Sequence, residues 1–115
     1  MGWADNYIKV LNEVGEVQFK PSGNSMTGKI ESGDKVKVIN YVGLVYEAGD
    51  IVLCRVSGNQ YLHLISALDK PTDRVQISNN KGFVNGWIKQ SAIYGICIQV
   101  NDKVLWTQTE LDNRR

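Results

Sequence analysis

With 115 residues and 43% hydrophobic content, the chain is long enough for one sizeable core and too short for two ordinary domains, so a single domain over 1–115 is expected. Thirteen basic against twelve acidic residues leave a formal charge of +1, with no basic stripe or acidic tail, which argues against a nucleic-acid partner. The longest apolar runs, such as Ile51 to Cys54 and Ile96 to Ile98, fall far short of the roughly 20 residues of a membrane-spanning helix, and the opening Met1, Gly2, Trp3, Ala4, Asp5 has no charged-then-apolar leader; a cytoplasmic protein without a membrane anchor is expected.

In chain order, Trp3, Tyr7, Val10, Leu11 and Val14 recur at spacings of three and four, the stripe of an amphipathic helix within residues 1–15, and Gly15 is placed to end it. From Glu16 the pattern changes to period two or to short β-branched runs: Val17 to Phe19, Lys35 to Ile39, Asp50 to Val56, Gln60 to Ser66, Arg74 to Ile77, Ala92 to Val100 and Lys103 to Thr107. Residues 16–107 therefore form a mainly β core, with hairpin turns at Ser57-Gly58 and Asn101-Asp102. Short strands joined by Gly and Asn turns predict a folded antiparallel sheet, closed in part into a barrel, whose strand order the pattern leaves open. Residues 108–115 are polar and expected to fray. Cys54 and Cys97 lie inside apolar strands rather than in a ligand cluster, so buried reduced thiols are expected, with no disulfide, metal or cofactor.

After the first strand comes Lys20, Pro21, Ser22, Gly23, Asn24, Ser25, Met26, with Gly28 shortly beyond. A serine nucleophile needs a base within hydrogen-bond reach and backbone N–H groups aimed at the developing oxyanion, and glycine permits the close backbone approach this requires. Ser and Gly also fill ordinary turns, so the segment by itself does not separate the two uses. Two Gly-Asp pairs follow, Gly33-Asp34-Lys35-Val36-Lys37-Val38 and Ala48-Gly49-Asp50-Ile51-Val52-Leu53, each opening a β run; Asp34 and Asp50 are read as turn-shaping residues. In the next strand, Gln60 to Ile65, alternation puts Leu62 and Leu64 on one face and Tyr61, His63 and Ile65 on the other. His63, the chain's only histidine, then faces either a site or a structural environment.

This order of blocks, covering roughly residues 19 to 100, resembles the serine peptidase core shared by LexA-type repressors, UmuD-type proteins and signal peptidase I. The resemblance implies a LexA- and signal-peptidase-like folded sheet, Ser25 as nucleophile, and Gly23, Asn24 and Met26 around the oxyanion and lining the site. Most of these relatives place a lysine where this chain has His63; the eukaryotic and archaeal signal peptidases have histidine there, usually followed by arginine, whereas this chain has Leu64. An imidazole titrating near neutral pH suits proton abstraction without the desolvation shift a lysine base needs.

The histidine-using relatives take an aspartate from a later block, and the block resembling it here, Ile77 to Trp87, has no carboxylate. Asn79, Asn80 and Asn85 are the candidate orienters of the base, each with a plain alternative as a turn former, strongest for Asn85-Gly86 as a hairpin signal. Thr27-Gly28 also stands where relatives commonly have a proline two residues after the serine. Only 24 residues precede Ser25, and the nearest small-Gly candidate, Val14-Gly15, lies ten residues away, so self-cleavage is not expected. What the resemblance leaves is a stand-alone domain of a phage or mobile-element kind: a serine peptidase hydrolysing a bond in another protein through a Ser25/His63 dyad, or a catalytically weak module of the same fold that holds an extended peptide or protein partner. The oligomeric state is not legible.

Overall fold

A computed structural model describes residues 2–115. Helix α1 (Asp5–Val14) is followed by β1 (Glu16–Phe19), β2 (Val36–Ile39), β3 (Ile51–Val56), β4 (Asn59–Asp69), β5 (Arg74–Ser78), β6 (Val84–Lys89), β7 (Ile93–Val100), β8 (Lys103–Val104) and helix α2 (Gln108–Asp112). The strands form one antiparallel sheet in the order β1-β2-β7-β3-β4-β5-β6, with β8 paired to β7. β1 and β6 are its two ends and do not pair with each other, so the sheet stays open where a partly closed barrel was expected.

Gly15 ends α1 in the left-handed conformation at φ +92°, its N–H donating to the Leu11 carbonyl, a geometry glycine adopts without a Cβ clash. The helix buries Ala4 and Leu11 with Tyr7 and Ile8 beside them, while Val10 and Val14 stay exposed. The stripe is thus turned by one position from the one the larger residues suggested. β3 shows why its sequence is a continuous apolar run: Ile51 and Leu53 face a core shared with α1, β1 and β2, and Val52, Cys54 and Val56 face a second core under β5, β6 and α2. A strand covered on both faces has no polar side to alternate with. Cys54 and Cys97 are free and fully buried, on opposite faces, and burial pushes their thiols up to about 12 and about 11.

The C-terminal residues correct the expectation of a frayed tail. Thr107 Oγ1 accepts from the Glu110 N–H at 3.2 Å and Glu110 Oε1 accepts from the Thr107 N–H at 2.9 Å, a capping box that starts α2 and seats Leu111 in the second core. Beyond it, Arg114 donates to both oxygens of Asp50 at 3.2 and 2.5 Å and to the Val45 carbonyl at 2.9 Å, and its guanidinium lies 4.5 Å from the Trp106 ring centre. Asp50 also accepts from the Glu47 N–H at 2.8 Å, so the second Gly-Asp shapes its turn and anchors the C-terminus as well. Asp34 shapes the first by accepting from the Glu31 N–H at 2.8 Å.

β6 runs through Asn85-Gly86, a pair that reads as a hairpin turn in the sequence. The β5–β6 connection instead turns through Asn79–Gly82, where Asn79 Oδ1 accepts from the Lys81 and Phe83 N–H groups at 2.9 Å. The Ser57-Gly58 and Asn101-Asp102 turns do join paired strands, with Val56 opposite Asn59 and Val100 opposite Lys103. Among the described residues no helix is long and apolar enough to cross a membrane.

Candidate active site

The segment between β1 and β2 coils into a tight turn around Ser25. Thr27 N–H donates to the Asn24 carbonyl at 3.2 Å, and the Lys29 and Ile30 N–H groups donate to the Met26 carbonyl at 3.0 and 2.8 Å. Met26 and Ile30 are buried in the first core, which ties the turn to the sheet; Met26 therefore works mainly as an anchor while also lining the cleft above. Among the described residues the Ser25 and Met26 N–H groups make no backbone hydrogen bond. Gly23 and Ser25 line the cleft; Asn24 contributes its carbonyl to the turn, accepting from Thr27 N–H and from Thr27 Oγ1 at 2.7 Å.

His63 sits mid-strand on β4 opposite Val52 and is only 6% exposed, its ring packed on Tyr61 with centroids 4.8 Å apart. Its Nε2 lies 3.1 Å from Ser25 Oγ, and its Nδ1 lies 2.7 Å from Asn85 Oδ1. Because the amide oxygen of Asn85 only accepts, the ring proton sits on Nδ1, and Nε2 is left with a lone pair toward the serine hydroxyl. Burial pushes the His63 pKa below its ordinary value, with the Asn85 hydrogen bond opposing the shift in part. The neutral imidazole, the form able to take a proton, therefore prevails at neutral pH.

Asn85 reaches the imidazole through a register fault. On β5 the neighbours Ile77 and Ser78 pair with Gly86 and Val84, so Asn85 is the extra residue of a β-bulge. A bulge frees one residue from the ladder and re-aims its side chain. Gly86, at φ +150°, supplies backbone geometry that a side chain rarely tolerates, and a Cβ there would stand 3.1 Å from Val56 Cγ1. The other two candidates make no hydrogen bond to the His63 ring. Asn79 shapes the β5–β6 turn, and Asn80 holds the Ser25 turn, its N–H donating to the Ser25 carbonyl at 2.9 Å and its Nδ2 to the Thr27 carbonyl at 2.7 Å.

The site opens into a cleft of about 690 Å³ between the Pro21–Met26 segment and the Gln60–His63 stretch of β4. Gly2 and Trp3 form part of its wall, a role the sequence hid because Trp3 also fitted the helical stripe. No cluster of three or more His, Cys, Asp or Glu able to hold a metal occurs among the described residues. Comparison with family models and with curated proteins returns no match for this chain.

The depressed His63 pKa carries a stability consequence. The unfolded chain takes up the histidine proton near its ordinary value of about 6.5, and the folded chain only at lower pH, so stability is full above that value and falls as pH drops toward the folded pKa. Urea midpoints between pH 7.5 and 5 should decline for the native chain, and His63→Gln should flatten the decline. An unchanged slope in the variant would contradict the assignment.

Proposed function

We propose that the protein is a serine peptidase-like hydrolase, related in fold to the LexA and signal peptidase I group, acting on a peptide bond of another chain. The observation that carries the reading is the hydrogen-bonded row Ser25 Oγ, His63 Nε2, His63 Nδ1, Asn85 Oδ1 at 3.1 and 2.7 Å beside an open cleft. In the proposed reaction Ser25 Oγ attacks the carbonyl carbon while His63 Nε2 takes its proton, and backbone N–H groups of the turn at Ser25 and Met26 receive the oxyanion. The imidazolium then protonates the leaving amine, and water, deprotonated by the same nitrogen, releases the acyl group. Asn85 fixes the tautomer and ring plane through its oxygen, as in Cys-His-Asn enzymes.

A second reading, a module of this fold that binds an extended peptide with little or no turnover, is favoured by the amide at position 85, which stabilises imidazolium less than a carboxylate does. An alkyl fluorophosphonate separates the two. The first reading expects covalent labelling located at Ser25 by peptide mapping and absent in Ser25→Ala; equal labelling of both proteins, or none of either, would sink the nucleophile assignment.

A further inference from the structure

The cleft runs along a stretch of β4 whose outer edge is nearly, but not wholly, occupied. The Ile65 N–H donates to the Asp50 carbonyl at 2.8 Å, which fixes the parity of the ladder: Tyr61, His63 and Ile65 direct their backbone groups toward β3, and Gln60, Leu62 and Leu64 direct theirs away from it. On that outer side β5 begins at Leu64, which pairs with Ser78. At the other end the Gln60 carbonyl accepts from the Trp3 indole N–H at 2.9 Å. Leu62 lies between the two, lining the cleft next to His63; its side chain is buried in the first core, and among the described residues no strand pairs with its outer backbone edge.

The Trp3 end is firmly built. Gln60 Oε1 accepts from the Ala4 N–H at 2.8 Å and Gln60 Nε2 donates to Asp5 Oδ1 at 2.6 Å, so the residue whose carbonyl is capped is itself clamped by the start of α1. Gly2 packs so tightly on the Gln60 side chain that a Cβ there would meet Oε1 at 2.0 Å. The Trp3 ring is braced by Phe19 and Tyr7, with centroids 5.9 and 6.3 Å away, yet the residue remains 51% exposed at the cleft wall.

We infer that Trp3 is a length gate: the cleft binds an extended peptide at the Leu62 edge, and the Trp3 indole, seated on the Gln60 carbonyl, stops that peptide after about three residues. Gln60 and Leu64 stand four steps of about 3.4 Å apart with three residues between them, which accommodates a peptide of about three residues and no more. This rests on reading the cleft as a peptide site and adds which residue limits what enters it. The gate is a wall and a hydrogen bond; it takes no part in the chemistry at Ser25.

Binding to the full chain carrying Ser25→Ala, which removes hydrolysis, tests the gate. The probes are N-acetylated, C-amidated Ala-Val-Ala and its six-residue doubled form, titrated while the Leu62 amide is followed by NMR. With Trp3 present the two peptides should bind with equal affinity and both should shift Leu62. Trp3→Ala should tighten binding of the six-residue peptide about tenfold, the order expected from one newly available backbone hydrogen bond, and leave the three-residue peptide unchanged. Trp3→Phe, which keeps the aromatic packing and removes only the N–H, should show a smaller gain of the same kind. The same length dependence in all three proteins, or no binding of either peptide, would overturn the gate. Fluorophosphonate labelling of Ser25 in the native chain, set against Ser25→Ala, reports the nucleophile without reference to Trp3, so loss of the gate and loss of the nucleophile are read separately.

Discussion

Replacing His63 with alanine is expected to slow fluorophosphonate labelling of Ser25 by about 10³-fold, within the 10² to 10⁴ typical of a positioned general base. The effect is large because, among the described residues, His63 is the one side chain hydrogen-bonded to the Ser25 hydroxyl, with Nε2 at 3.1 Å. Asn85→Asp should move the rate in the opposite direction, upward by about 10²-fold. A carboxylate would stabilise the imidazolium that forms during attack, whereas the amide now supplies orientation alone. The gain is smaller than the roughly 10⁴ separating aspartate from asparagine in a serine enzyme where the amide holds the wrong tautomer, because Asn85 Oδ1 already holds the proton on Nδ1. The pH profile adds a second readout. Labelling by the native chain should reach half its plateau below the ordinary histidine value, and Asn85→Asp should shift that midpoint upward, since a nearby anion favours the protonated ring. A rate in His63→Ala within threefold of the native one would remove the base from the mechanism.

The largest effect on stability is expected far from the cleft. Asp50 is 1% exposed and the Arg114 side chain 8%, and they meet through two hydrogen bonds across 64 residues of sequence. Removing Arg114 leaves Asp50 buried without its counter-charge, so Arg114→Ala should destabilise the fold by about 3–5 kcal/mol; Asp50→Ala should cost less, because Arg114 keeps Glu47 at 3.6 Å. The double replacement Asp50→Leu with Arg114→Met should recover much of this, because filling the site with apolar groups removes both desolvation penalties together. Urea unfolding measures all three variants, and the coupling between the single changes isolates the pair. Single variants that lose less than about 1 kcal/mol would show the C-terminal segment to be dispensable.

Much of this site was legible before the fold. Ser25 stood out because Gly23, Gly28 and the two Gly-Asp strand openings surround it in a recognisable order, and His63 because alternation on its strand separates it from Leu62 and Leu64. The identity of the third residue was not legible. Asn79, Asn80 and Asn85 are equivalent as side chains, and the one with the strongest turn signal, Asn85, is the one that meets the imidazole. A single extra residue in the pairing of β5 with β6 made the difference, and a bulge leaves no mark on hydrophobic periodicity.

The sequence by itself determined the strand-rich class, the helix ended by Gly15, the two-residue hairpins at Ser57-Gly58 and Asn101-Asp102, and the residue types at the site. Each of these depends on neighbours a few positions away, where backbone preference and side-chain period act directly. Only the tertiary structure decided that the sheet stays open, that Asn80 holds the Ser25 turn rather than the His63 ring, that Arg114 closes on Asp50, and that Trp3 walls the cleft. Those contacts join residues 53 to 64 positions apart, or rest on which strands end the sheet. Strand order and register set them through the packing of two cores at once, and that packing is a property of the assembled sheet rather than of any one strand.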